Sequence, residues 1–193
     1  DVAALGAAWI AIRLFDAASD PLVGWLSDRT RLRWGRRRVW VVAAVPLIAV
    51  ATWQAFVPPA DAGLWHAVLW LFLLTLGWTI GQTPYLSWGA EIEESYEGRT
   101  SVTAWREAFV LLGTLLATVL YFLGGEGGEG LFVVAVAVVA ALPLTVAAAV
   151  ALAGEAPRMR EVHLSVSEGW RAMRANAPFR RLILAWFVNG AAN

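Results

Sequence analysis

An all-α membrane protein is the fold class this sequence predicts, and three observations predict it. Hydrophobic residues make up 59% of the 193-residue chain, where an ordinary soluble domain has about 45 to 50%. Its mean hydropathy is +0.60. The apolar residues fall in continuous runs rather than the short alternating segments of a barrel, and a long helical run satisfies its own backbone hydrogen bonds inside lipid. Arginine-bearing connections alternate with connections that carry none, which is the charge signature of a chain threading a bilayer.

Five full spans follow, over 2–26, 39–57, 65–88, 102–123 and 130–153, and the start of a sixth near 179. Each of the five is close to the ~20 residues needed to cross a hydrocarbon core. The last run, from Leu182 to Val188, is cut short at Asn193. Pro21, Pro46, Pro84 and Pro143 fall inside these runs, where neighbouring spans tolerate them better than water would. The domain reading is an incomplete helical bundle over 1–153, a linker over 154–178, and the first turns of a second bundle over 179–193. With Asp1 opening inside an apolar run, the sequence reads as an internal piece of a longer protein.

The connection from Ser27 to Arg38 carries Arg29, Arg31, Arg33, Arg36, Arg37 and Arg38, whereas 57–64 and 124–130 carry no arginine. Arg99 marks the third connection; Arg158, Arg160, Arg171, Arg174, Arg180 and Arg181 mark the fifth. The first, third and fifth connections are therefore expected on the cytoplasmic side of the cell inner membrane. Within the linker, Ser165 and Glu168 have capping-box spacing, and Val166, Trp170, Met173 and Ala177 share a face. That pattern suits an interfacial amphipathic helix, with a solvated linker as the alternative. Trp25, Trp34, Trp40, Trp65, Trp88 and Trp105 lie near span ends, as interfacial anchors do.

Composition excludes several functions. All 15 basic residues are arginine and 15 acids balance them, so no basic field for nucleic acid exists. Without cysteine there is no disulfide, thiolate metal site or cysteine nucleophile. His66 and His163 lack ligand companions at metal spacing, and no nucleophile–base set suggests an enzyme. No cofactor is implied.

Arg13, Asp16 and Asp20 interrupt the first span at spacings of three and four, so they share one helical face. Each charge at bilayer depth costs roughly 2.5 to 3.5 kcal/mol, which requires that face to meet something other than lipid. Two carboxylates one turn apart repel unless a cation, a proton or an arginine lies between them. Pro21 leaves the Ala17 carbonyl without its usual donor, and with the Ser19 hydroxyl it adds oxygen ligands suited to a hard cation. The alternative is a packing network in which Arg13 neutralises the aspartates, although one arginine cannot cancel two charges.

Thr79 and Gln82 share a face, and Pro84 frees the Ile80 carbonyl nearby. Gln82 offers donor and acceptor groups for sugar hydroxyls and Trp78 a ring for stacking; hydrogen-bond glue between spans is the other reading. Arg106, one turn into the fourth span, suits vicinal hydroxyls or a carboxylate, or simply pairs with Glu107. Gln82, Trp78, Arg106 and Arg13 are the candidate substrate contacts. Gly24, Asp28, Arg29 and Arg36 form a candidate conformational latch at the first cytoplasmic connection, against a purely topogenic role for the arginines. Glu91, Glu93, Glu94 and Glu97 read as a solvated acidic group, with salt bridges to the arginine-rich connection as the alternative.

The stretch Asp16-Ala17-Ala18-Ser19-Asp20-Pro21-Leu22-Val23-Gly24-Trp25, leading into Arg33-Trp34-Gly35-Arg36, resembles the signature of the glycoside-pentoside-hexuronide:cation symporters. These form the melibiose-carrier branch of the major facilitator superfamily. Pro84-Tyr85, the acidic loop, Arg99-Thr100 and Arg106 follow in the family's order, so the resemblance covers nearly the whole chain. It implies a twelve-span carrier, monomeric at full length, of which this chain holds the second to sixth spans and the start of the seventh. It further implies that Asp16, Asp20, Ser19 and Thr79 hold sodium or a proton, and that Arg106 lies near a sugar. Family members commonly have asparagine where Ser19 stands, and the melibiose carrier has aspartate at Gln82 and tryptophan at Leu86. Sugar symport by alternating access is the implied function; a same-fold carrier of a lysolipid or drug, and a non-transporting scaffold, are the alternatives.

Overall fold

The computed structural model describes residues 2–30, 32, 34–93, 95–125, 127–153 and 166–192, and the side chains of 2–5, 166–167 and 186–192 are outside that description. Seven helices account for nearly all described residues: α1 (Val2–Arg29), α2 (Arg38–Phe56), α3 (Leu64–Ile92), α4 (Tyr96–Gly124), α5 (Gly128–Leu152), α6 (Val166–Ala175) and α7 (Ala177–Ala192). They divide into two units, 1–157 and 158–193.

Four helices, α2 to α5, are both long and apolar enough to cross a membrane. α1, expected as a full span, has the length, since its 28 residues rise about 42 Å. Arg13, Asp16 and Asp20 lie within it. Pro21, Pro46, Pro84 and Pro143 all lie inside continuous helix. α3 and α4 each run to 29 residues, because helix continues past the apolar stretch into the Glu91 region and begins at Tyr96, before the apolar stretch of α4. Ser95 starts α4 by accepting the Gly98 backbone N–H at 3.0 Å, which satisfies one of the four donors a helix N-terminus leaves open.

α2 and α3 form the central pair of the first unit; α1 lies along α3, α5 along α2, and α4 along α5. Small residues let the central pair approach closely. Gly77 and Gly81 are buried on α3, and a Cβ at Gly81 would stand 3.0 Å from the Ala44 Cβ, while one at Gly77 would stand 2.9 Å from Ile48 Cγ1. Lipid offers no hydrophobic drive between helices, so such close backbone contact carries the association. Gly81→Leu is expected to force α2 and α3 apart, because the Ala44 methyl has no rotamer in which to retreat. The predicted cost is about 1 to 3 kcal/mol, read as a lower unfolding temperature in detergent; an unchanged transition would remove Gly81 from the interface.

The turn between α1 and α2 is locally determined. Gly35 has φ of 100° and its N–H bonds the Leu32 carbonyl at 3.2 Å, a conformation that other residues adopt only with strain. Trp40 Nε1 donates to Thr30 Oγ1 at 2.8 Å, tying the two helix ends together. Arg31 and Arg33 of this turn lie outside the described residues. Trp88, expected as an interfacial anchor, is instead buried with Arg38 over its ring at 5.3 Å. In α4 no described residue is buried; its leucines and phenylalanines from Phe109 to Leu123, apart from the half-buried Leu120, are exposed.

In the second unit α6 is amphipathic, with the Arg174 guanidinium 5.3 Å over the Trp170 ring. Ala177 was expected on the face of this helix, but the helix ends at Ala175 and Ala177 opens α7. Asn176 makes the break: its N–H bonds the Ala172 carbonyl at 3.1 Å, closing α6, and its side-chain Oδ1 accepts the Phe179 N–H at 3.1 Å, capping α7. The expected capping residue Ser165 lies outside the described residues.

Candidate functional site

α1 and α3 meet through two polar rungs. Asp16 Oδ1 accepts a hydrogen bond from the Thr79 hydroxyl, and one turn further on Asp20 Oδ1 accepts from the Thr83 hydroxyl at 3.1 Å. Both pairs are 63 positions apart in sequence. Equal offsets at two successive turns mean that α1 and α3 run parallel in a fixed register over this segment. Thr79 is buried, Asp16 half-buried and Asp20 exposed, so the rungs pass from the helix interface outward to its open edge.

A hydroxyl donates one hydrogen and a carboxylate accepts at two oxygens. Each aspartate therefore keeps its Oδ2 uncommitted among the described residues. Ser19, buried on the same helix, donates to the Asp16 carbonyl at 3.1 Å. The arrangement collects carboxylate and hydroxyl oxygens around one strip of the α1–α3 interface, which is the ligand chemistry a hard cation requires. Arg13 does not close the gap: its guanidinium lies over the Trp9 ring at 4.8 Å.

The candidate substrate contacts are spread over α1, α3 and α4. Trp78 and Gln82 are exposed on α3, and with Tyr85 and Leu86 they form a stripe at spacings of three and four beside Thr79. Arg106 on α4 donates to its neighbour Glu107, Nη2 to Oε1, at 2.6 Å. With Arg13 these residues occupy three different helices, and the contacts of this structure leave Arg106 on its local acid.

At the far end of α1 the candidate latch is larger than its sequence outline. Arg36 Nη2 reaches Glu91 Oε1 at 2.8 Å and Arg37 Nη2 reaches the same oxygen at 2.8 Å. Arg37 also contacts Asp28 Oδ1 at 2.5 Å and donates from Nη1 to the buried Ser27 hydroxyl at 2.7 Å. Gly24, one turn earlier, is close enough for a Cβ to meet Thr83 Cγ2 at 3.8 Å. Arg29 turns away from this group and covers the Trp25 ring at 3.8 Å. Glu91 is thus the hub that joins α3 to the α1–α2 turn, with its side chain only 15% exposed. Its expected solvation gives way to ion pairing, because two guanidinium groups converge on it.

Thr83, Ser27 and Arg37 are absent from the candidate site residues, and Glu91 appears there only in the acidic group, with salt bridges to the arginine-rich connection as its alternative reading. Thr83 carried a usable signal, since Thr79 and Thr83 repeat the four-residue spacing of Asp16 and Asp20. Arg37 could not be told from its neighbours in a run of three arginines, and Glu91 lies 54 residues from its partner.

Together these features define a multi-pass helical membrane protein with a strip of carboxylate and hydroxyl oxygens between two parallel helices and a charged cluster at their end. Residues 1–192 match the family described as MFS/sugar transport protein. The chain belongs to that family, the glycoside-pentoside-hexuronide:cation symporters of the major facilitator superfamily. It is 34% identical over 119 residues to the inner membrane symporter YicJ of Escherichia coli, covering 60% of this chain and 26% of that protein. An uncharacterized symporter of Synechocystis is 33% identical over 124 residues, 60% of this chain and 23% of that protein. The zebrafish sodium-dependent lysophosphatidylcholine symporter 1-B is 34% identical over 127 residues, 61% of this chain and 24% of that protein. The chain spans about a quarter of the length of these relatives.

Proposed function

We propose that this chain supplies the larger part of one helical bundle of a cation-coupled symporter, working by alternating access in a cell inner membrane. The observation that carries the reading is the pair of aspartate–threonine rungs between α1 and α3. Asp16, Asp20, Ser19, Thr79 and the added Thr83 hold the coupling cation, sodium or a proton. Filling the strip binds α1 to α3 more firmly and biases the protein towards the state that accepts substrate. Coupling then requires each ligand to tighten the other by the same factor. Trp78, Gln82, Arg106 and Arg13 supply the substrate side, and Gly24, Asp28 and Arg36, with Arg37 and Glu91, hold one conformation closed.

The substrate in this reading is a sugar or glycoside, small enough to be clasped by Gln82 hydrogen bonds and a Trp78 ring. A second reading, a lysolipid cargo, is favoured by the similarity to lysophosphatidylcholine symporters at the same level of identity as to the bacterial symporters. Uptake into vesicles containing the whole carrier of which this chain is a part, with and without an inward sodium gradient, separates them. Sodium-stimulated uptake of a glycoside panel is expected. Uptake of lysophosphatidylcholine with no glycoside uptake would transfer the assignment to the second reading, and uptake of either without response to sodium or pH would remove the coupling.

A further inference from the structure

Arg38 stands apart from the charged cluster beside it. Arg36 and Arg37 both pair with Glu91, and Arg37 with Asp28 as well. Among the described residues Arg38 has no carboxylate partner. Its guanidinium donates from Nη2 to the Ala153 carbonyl at the end of α5 and lies over the buried Trp88 ring, while its Nε is buried with no hydrogen-bond partner. A carbonyl and a ring face compensate part of a desolvated charge, but neither supplies a counter-charge.

The same arginine lines a half-open cleft of about 260 Å³ with Trp34, Val39, Val42 and Val150. One part of its lining is cationic, another apolar. The cleft lies where α2 begins, and α2 begins without a side-chain cap, Arg37 occupying the N-cap position. A 19-residue helix presents partial positive charge and open N–H groups at such an end. Arginine, uncapped helix start and apolar wall therefore converge at one end of the bundle, on the connection that carries the densest run of arginines.

We propose that this cleft holds the phosphate of an anionic membrane phospholipid, with Arg38 as its counter-charge and Val42 and Val150 against the upper acyl chains. Charge complementarity selects the occupant. The arginine-rich connection is expected on the cytoplasmic side, where the anionic lipids of the bilayer concentrate, and Trp34, three-quarters exposed, suits the headgroup level. A soluble phosphate would meet the arginine but leave the valine wall bare, whereas a phospholipid meets both. Bound there, the lipid bridges the start of α2 and the end of α5. This inference rests on the membrane setting alone and stands whether or not the cation reading does.

Native mass spectrometry of the full chain in neutral detergent, stripped of lipid and then offered defined ligands, tests it. The probes are phosphatidylglycerol, phosphatidylcholine, chain-free glycerophosphoglycerol and inorganic phosphate. One tightly retained phosphatidylglycerol per chain is expected, and Arg38→Gln should weaken it at least about fivefold. Val150→Trp keeps the charge and fills the cleft, so it should produce a loss of the same order, and it decides the matter if Arg38→Gln does not fold. Retention unchanged in both variants overturns the proposal. Phosphatidylcholine held as tightly as phosphatidylglycerol overturns the charge argument, and chain-free ligands bound as tightly as the intact lipid show a phosphate site rather than a lipid site.

Discussion

Asp16→Asn is expected to raise the cation concentration needed for half-maximal uptake by roughly 30-fold or more, with normal protein levels in the membrane. Asparagine has nearly the same shape and keeps an oxygen that accepts from the Thr79 hydroxyl, so the α1–α3 contact survives. What disappears is a negative charge at a half-buried position. Losing one member of a partly desolvated charge pair costs about 2 to 5 kcal/mol, and every 1.4 kcal/mol is about tenfold in affinity. Thr79→Val provides the converse, since it removes the hydroxyl and leaves the charge; a shift smaller than that of Asp16→Asn is expected. An unchanged cation requirement in Asp16→Asn would falsify the ligand role and return the carboxylate to helix packing.

The second large effect is on stability. Glu91→Ala removes the acid on which Arg36 and Arg37 converge and leaves the buried Arg37 with Ser27 and the exposed Asp28. Breaking a buried pair by removing one partner costs about 3 to 5 kcal/mol. Asp28 offsets some of that, so a loss of about 3 kcal/mol is expected, measured as a lower unfolding temperature in detergent. A solvated surface acid would register within about 0.5 kcal/mol, and that result would contradict the hub. Adding Arg37→Leu to Glu91→Ala should recover part of the loss, because the uncompensated charge goes with it.

Much of the fold was legible because membrane helices announce themselves by length and composition. Each expected span is a helix, and prolines 21, 46, 84 and 143 sit within helices as lipid-phase packing allows. The charged face of α1 was readable for the same reason: Asp16 and Asp20 have an energetic cost in lipid that can be stated from the sequence alone. Partners were harder. Thr83 and Glu91 acquire their roles from residues 63 and 54 positions away, and helical spacing says nothing about which neighbour a face will meet. Arg13 lies over the ring of Trp9, one turn before it on the same helix, which agrees with the reading that a single arginine does not cancel both aspartates. Trp88 looked like an anchor by position near a span end, yet it lies beneath Arg38, a contact set by how α2 and α3 pack.

The threonines of α3 have one more step than the aspartates of α1. Thr75 precedes Thr79 by the same four-residue interval that separates Thr79 from Thr83, so sliding one helix along the other by four residues, about 6 Å, would match Asp16 with Thr75 and Asp20 with Thr79. Hydrogen bonding alone is nearly degenerate between these alignments. The present one is chosen by shape, through Phe15 against Phe72 at 4.9 Å and Gly24 against Thr83, and residues that never touch an ion thereby determine which oxygens stand opposite each other.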